Sequence, residues 1–145
     1  MTNDNARPAS TALVVGTYAG SFVVLTVLFL IISMLLPFDN PAMGLLIGMA
    51  AAGTAATVWL SREKVVPTGQ RVWKIAALCG LVATVLSALF LLVGVGLDDQ
   101  LRQGMRGGGA GAVLAILLGV GVLHVLMARL GFWLTFRQAL KKKAA

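Results

Sequence analysis

Four long stretches of the chain contain no charged side chain, and apolar residues dominate each of them. The stretches cover residues 8–38, 40–61, 75–97 and 107–128, so the shortest has 22 residues. An α-helix rises about 1.5 Å per residue, and roughly 20 residues cross a hydrocarbon core of about 30 Å. The pattern therefore predicts an all-α integral membrane protein with four spanning helices.

Proline, glycine and charged residues between these stretches set the predicted bounds. Pro37 and Pro41 end one helix and permit the next to begin, which predicts a tight hairpin. Short connections favour an antiparallel four-helix bundle. Residues 1–10 are predicted to be a disordered tail, and the glycine-rich connection 98–109 is predicted to be a flexible tether. Within this single transmembrane domain, the spans are predicted at about 11–36, 42–60, 74–97 and 110–128.

The overall composition agrees with a membrane protein. Only 12% of residues are charged and 59% are hydrophobic, whereas about a quarter of a soluble domain is charged. Four spans leave room only for short loops and two tails, so no soluble catalytic domain is expected. Function must therefore lie within the membrane or at its two faces.

Basic residues and tryptophans predict the orientation. The third connection has only Arg102 and Arg106, and the first has no basic residue. Lys and Arg near span ends stay on the cytoplasmic side, so both termini are expected there. Trp59, Trp73 and Trp133 would then lie at the inner interface, the depth that indole rings prefer. The basic residues assigned to the cytoplasmic side are Arg7, Arg62, Lys64, Arg71, Lys74, Arg129, Arg137, Lys141, Lys142 and Lys143.

Residues 129–143 are predicted to form a short, basic, amphipathic helical extension at the cytoplasmic interface. In a helix, Phe132, Trp133, Phe136 and Leu140 share one face, which would lie in the headgroup region. Anionic lipid would hold the cationic side chains. A plain stop signal is the alternative. The predicted headgroup contacts are Arg129, Trp133, Arg137, Lys141, Lys142 and Lys143.

Each span contains small residues four apart, the spacing that lets helices approach closely in lipid. Packing within the bundle is the favoured role, and a self-association face that makes a homodimer stays open. The glycines predicted to mark helix packing are Gly16, Gly20, Gly44, Gly48, Gly80, Gly111 and Gly119.

One ionisable residue inside a span, His124, is the main candidate for a functional site. Tyr18, Thr54, Thr57 and Cys79 lie in the same third of their own spans, so a polar intramembrane cluster is expected. A Tyr18–His124 hydrogen bond would serve proton exchange or ligand capture in a transporter. A structural bond between helices is the more conservative interpretation.

Several functional classes are disfavoured. No carboxylate lies in any span, which argues against a proton-coupled exporter of the small multidrug type. One histidine and one cysteine on different helices do not make a typical closed metal site, and the chain has neither a nucleophilic triad nor a phosphate-binding loop. We therefore expect no enzyme activity, no cofactor, no metal and no nucleic-acid partner.

The expected function is a non-enzymatic, multi-pass membrane protein that acts through protein or lipid contacts. Two alternatives stay open. One is a small oligomeric transporter or channel that uses Tyr18 and His124. The other is an immunity protein that neutralises a membrane-inserting toxin.

Two segments resemble those of a known family. Residues 66–71, Val-Pro-Thr-Gly-Gln-Arg, precede the third span, and residues 130–141 combine Leu-Gly-Phe with a basic close. Both resemble the ABZJ family of small, uncharacterised bacterial four-span proteins, although Gln70 and Arg71 stand where that family has an acidic residue. The resemblance implies the bacterial inner membrane and no particular activity.

Overall fold

The computed structural model describes residues 8–36, 43–97 and 99–144. This part of the chain forms four α-helices and no strand: α1 (Thr11–Leu35), α2 (Met43–Glu63), α3 (Gly69–Leu97) and α4 (Asp99–Ala144). All four are long and apolar enough to cross a membrane. The predicted all-α architecture with four candidate spans is therefore confirmed. The hairpin predicted around Pro37 and Pro41 lies outside the described residues.

The fourth helix departs most from the predicted bounds. Residues 99–109, predicted as a flexible tether, form the first turns of α4. Glycine costs only about 1 kcal/mol relative to alanine inside a helix, so a triple glycine weakens a helix without forbidding it. At its other end α4 continues through the predicted interfacial segment to Ala144. Its 46 residues extend about 69 Å, which is more than twice the thickness of a hydrocarbon core of about 30 Å.

Helices α2 and α3 each pack against both α1 and α4, which makes a four-helix bundle. The closest approaches involve α4. A methyl group placed at Gly80 would lie 2.8 Å from the Val125 nitrogen, and one at Gly131 would lie 2.5 Å from the Met49 carbonyl oxygen. Lipid is as apolar as the side chains, so such close contact between backbones is what holds helices together.

The seven glycines predicted to mark helix packing differ in their surroundings. Gly48 and Gly80 lie against other helices. The other five have no described atom within 4 Å of an added methyl group, so their role in packing stays a prediction: Gly16, Gly20, Gly44, Gly111 and Gly119. Spacing along a helix shows that small residues share a face, but it does not show which face meets a neighbour. Self-association through the open glycines stays a prediction.

A set of polar contacts ties three helices together at one end of the bundle. The Ala9 amide donates to Glu63 Oε1 at 2.9 Å, and Arg71 Nη2 donates to the Ala9 carbonyl at 2.8 Å. Arg71 Nη1 also pairs with Glu63 Oε1 at 2.8 Å. These contacts join the start of α1 to the end of α2 and the start of α3. We call this end of the bundle, which also carries Arg129 and Arg137, the basic end.

The start of α1 is better ordered than predicted. Ser10 caps the helix by accepting a hydrogen bond from the Leu13 amide at 3.1 Å. Ala9 is buried, because Glu63 and Arg71 hold its backbone on both sides. The predicted disordered tail is therefore wrong for its last residues, while residues 1–7 lie outside the described part.

Candidate functional site

His124 lies on α4 and is only 4% exposed. Its Nδ1 is 2.9 Å from the Val120 carbonyl oxygen. A carbonyl oxygen only accepts hydrogen bonds, so Nδ1 must carry the proton and donate. In the neutral ring this leaves a lone pair on Nε2. His124 therefore presents a hydrogen-bond acceptor inside the bundle.

Tyr18 from α1 and His124 from α4 meet above Gly48 of α2. A methyl group placed at Gly48 would lie 3.5 Å from the Tyr18 hydroxyl and 3.5 Å from Cδ2 of His124. Phe22 packs between them, with its ring centroid 6.1 Å from that of Tyr18 and 5.8 Å from that of His124. The structure thus brings together two residues of the predicted polar cluster, one from α1 and one from α4, beside α2.

The hydrogen bond predicted between Tyr18 and His124 is not formed. The Tyr18 hydroxyl is fully buried and has no hydrogen-bond partner among the described residues. The Phe22 ring packs against both the Tyr18 and the His124 rings. A buried hydroxyl without a partner is costly, and a buried polar group of this kind calls for an explanation.

Beside His124 lies a cavity of about 400 Å³ to which all four helices contribute. Its walls include three phenylalanines, Phe22, Phe29 and Phe90. The polar groups in its lining are Thr26, Ser87 and His124. The Thr26 hydroxyl donates to the Phe22 carbonyl at 2.7 Å, so its proton is already engaged. The cavity is therefore mainly aromatic and apolar, with few polar groups.

The two threonines predicted for the cluster lie elsewhere. Thr54 and Thr57 are exposed on the outer face of α2, where their hydroxyls donate to the Ala50 and Gly53 carbonyls at 3.2 and 2.9 Å. Their predicted place in the cluster is wrong, because residues at the same depth in a membrane need not point the same way. Cys79 is fully buried in the core on α3 and does not line the cavity.

In residues 129–143, which were predicted to lie among headgroups, the described side chains form one buried and one exposed face. Phe132 and Phe136 are buried and pack edge-on against Trp59, with centroids 6.0 and 5.8 Å away. Their predicted headgroup location is wrong, because α2 offers an aromatic partner on the inner side. On the outer side, Trp133 is 44% exposed. Arg137 is also exposed.

The remaining predicted headgroup residues lie on or near the surface of the basic end. Arg129 is partly buried and stacks on Trp73, with the guanidinium carbon 5.3 Å from the ring centroid. Lys141 and Lys142 are exposed. The side chain of Lys143 lies outside the described part of the structure. Contact with lipid stays a prediction for these residues.

Two features were missed from the sequence. Arg71 was assigned only an orienting charge, yet it pairs with Glu63 and covers the Trp59 ring at 5.2 Å. Gly131 was read as part of an interfacial segment, yet it meets α2. The sequence offered one indication of this ion pair, because Glu63 and Arg71 have opposite charges and lie eight residues apart. In the described ranges, no group of three or more His, Cys, Asp or Glu residues is placed to hold a metal ion.

The chain was compared with protein-family models, curated proteins and solved structures, and none of them matches it. The class of molecule therefore follows from the fold and the site themselves. It is an all-α bundle of four helices able to cross a membrane, with a mainly apolar cavity beside a buried histidine.

Proposed function

We propose that this protein is a multi-pass membrane protein that binds a small lipid-soluble molecule in the cavity beside His124. The observation that carries this function is the cavity itself, whose volume of about 400 Å³ falls within the roughly 300–1,000 Å³ of ligand sites. Such sites combine apolar and aromatic walls with a few polar groups that orient the ligand. Binding requires no reaction, so the function is non-enzymatic.

The ligand's chemistry follows from the groups that face it. Three phenylalanine side chains favour an aromatic or other apolar body. The lone pair on His124 Nε2 needs a donor, so the ligand should carry a hydroxyl or an N–H group. A ligand that donates a hydrogen bond to this nitrogen should therefore be preferred over an otherwise similar ligand that does not.

The setting we propose is the bacterial inner membrane, which the resemblance to the ABZJ family implies, with the helices antiparallel and both termini cytoplasmic. Basic side chains at one end of the bundle, among them Arg62, Arg71 and Arg129, support this orientation. Trp73 and Trp133 are half-exposed at the same end, as expected of residues at an interface.

A matched pair of probes tests the binding function. The full chain in nanodiscs is dialysed against 2-naphthol or naphthalene, with protein-free nanodiscs as background. We expect saturable binding of 2-naphthol and about tenfold weaker binding of naphthalene, the effect of one lost hydrogen bond. His124→Leu should bring the two affinities together, whereas Thr54→Val on the outer face should leave the difference unchanged.

Blocking the cavity provides an independent check. Ser87→Leu adds volume to the cavity lining and should weaken the binding of both probes. If 2-naphthol partitions equally into discs with and without the protein, the cavity does not bind this class of ligand.

A small transporter or channel is the competing proposal. It requires a passage beyond Gly48, where Tyr18, Phe22 and His124 pack together. Flux of a solute into proteoliposomes that disappears with His124→Leu would favour it. An immunity role has no structural observation in its favour.

A further inference from the structure

A second cavity, of about 370 Å³, lies at the basic end between α3 and α4. The beginning of α3, at Gly69 and Val72, forms one side of it. On the α4 side, Arg129, Trp133 and Arg137 line it from three successive turns. Residues four apart on a helix share a face, so both guanidinium groups lie along the same surface.

The guanidinium groups of both arginines stack on tryptophan rings. The guanidinium carbon of Arg129 lies 5.3 Å from the centroid of Trp73, and that of Arg137 lies 5.1 Å from the centroid of Trp133. A guanidinium group that stacks on an aromatic ring keeps its N–H donors in its own plane, free to bind an anion. The tryptophans therefore position the arginines and leave their donors available.

No described carboxylate neutralises this pair. Glu63, the described acidic residue nearest in the fold, pairs with Arg71 instead. Two cationic side chains thus face a cavity without an acidic partner in the described part of the chain. The first amides of α3 add partial positive charge at Gly69. This uncompensated positive charge favours the binding of an anion. The planar guanidinium group matches the oxygen atoms of a phosphate.

We propose that Arg129 and Arg137 bind the phosphate of an anionic phospholipid in this cavity. Inorganic phosphate and a phospholipid headgroup both provide a phosphate anion, and the surroundings of the site favour the phospholipid. Trp73 and Trp133 are 49% and 44% exposed, and Leu140 beside them is exposed as well. Half-exposed tryptophans are typical of the headgroup depth, where acyl chains would cover the neighbouring apolar surface. The site is separate from the cavity at His124.

The test measures lipid binding to the purified, delipidated full chain by native mass spectrometry. The probes are dioleoylphosphatidylglycerol, dioleoylphosphatidylcholine and inorganic phosphate. We expect one molecule of the anionic lipid to bind at least about tenfold more tightly than the zwitterionic lipid. Inorganic phosphate at millimolar concentration should not displace it. Displacement, together with binding of phosphate alone, would contradict the assignment to a lipid.

Two double variants separate a defined site from general attraction. Arg129→Gln with Arg137→Gln should lower affinity for the anionic lipid about tenfold or more. Arg62→Gln with Lys74→Gln removes the same charge from exposed positions at the same end and should change the affinity less than twofold. Equal losses in both variants would overturn the proposal, because they would show attraction by net charge alone.

A conservative variant distinguishes a loss of lipid binding from a loss of folding. Arg129→Lys with Arg137→Lys keeps both charges but loses the planar fork and the stacking on tryptophan. We expect its affinity for the anionic lipid to fall about threefold to tenfold, with thermal stability close to that of the wild type. Affinity equal to the wild type would show that guanidinium geometry plays no part, and would also overturn the proposal.

Discussion

Gly80→Ala is expected to destabilise the folded bundle by about 1–3 kcal/mol, the usual cost of overpacking a tightly packed interior. The added methyl group would lie 2.8 Å from the Val125 nitrogen and 2.9 Å from the Val125 Cα. Both atoms belong to the backbone of α4, so the clash is relieved only if the two helices move apart. That movement weakens the contacts along α3 and α4, and close contact drives helix association in lipid.

Matched glycines provide the control for this experiment. Gly131→Ala should show a similar loss, because its methyl group would lie 2.5 Å from the Met49 carbonyl oxygen. Gly16→Ala and Gly119→Ala meet no described atom within 4 Å and should cost nothing, or gain up to about 1 kcal/mol from helix propensity. Reversible unfolding in mixed micelles measures all four. If Gly80→Ala behaved like Gly16→Ala, the close contact between α3 and α4 would be refuted.

Trp59→Ala is expected to cost about 3–5 kcal/mol, the range for removing a large buried aromatic side chain. Trp59 is fully buried at the basic end, and its ring meets Phe132 and Phe136 at centroid distances of 6.0 and 5.8 Å. The Arg71 guanidinium covers the same ring at 5.2 Å. Removing the indole leaves a cavity that α2, α3 and α4 all border.

Trp59→Phe separates the role of the ring from that of its N–H group. Trp59 Nε1 is buried without a partner among the described residues, so no hydrogen bond is lost in this variant. We expect a cost below about 2 kcal/mol, from reduced ring area alone. Trp73→Ala serves as the exposed control and should cost less than about 1 kcal/mol. Equal losses for Trp59→Ala and Trp73→Ala in the same unfolding assay would show that the aromatic cluster does not stabilise the bundle.

The number of helices follows from the sequence, because crossing a hydrocarbon core requires length and the absence of charge. The start of α4 does not. Three consecutive glycines, Gly107, Gly108 and Gly109, favour a loop by propensity, yet the backbone there is helical. Propensity is a weak guide where the long helix on the C-terminal side extends through such a segment.

The sequence predicted the depth of the candidate site residues along their spans, but not the direction in which their side chains point. His124 stands out because an ionisable residue in an apolar span is rare, and the structure places it at a cavity. Thr54 and Thr57 have a comparable predicted depth but point outward. Spans that are apolar on every side give no amphipathic pattern from which to read the inner face. The burial of Phe132 was missed for a different reason: its apolar face was identified, but its partner Trp59 lies on another helix.

The most direct test of binding at His124 uses the fact that it is the chain's single histidine. Ring-¹⁵N NMR of histidine-labelled protein in nanodiscs reports the two nitrogens of this one side chain. We expect a proton on Nδ1 and none on Nε2, with a saturable shift of the Nε2 resonance on addition of 2-naphthol and little response to naphthalene. A proton on Nε2 in the ligand-free protein, or an Nε2 resonance that ignores saturating 2-naphthol, would contradict a binding site at this residue.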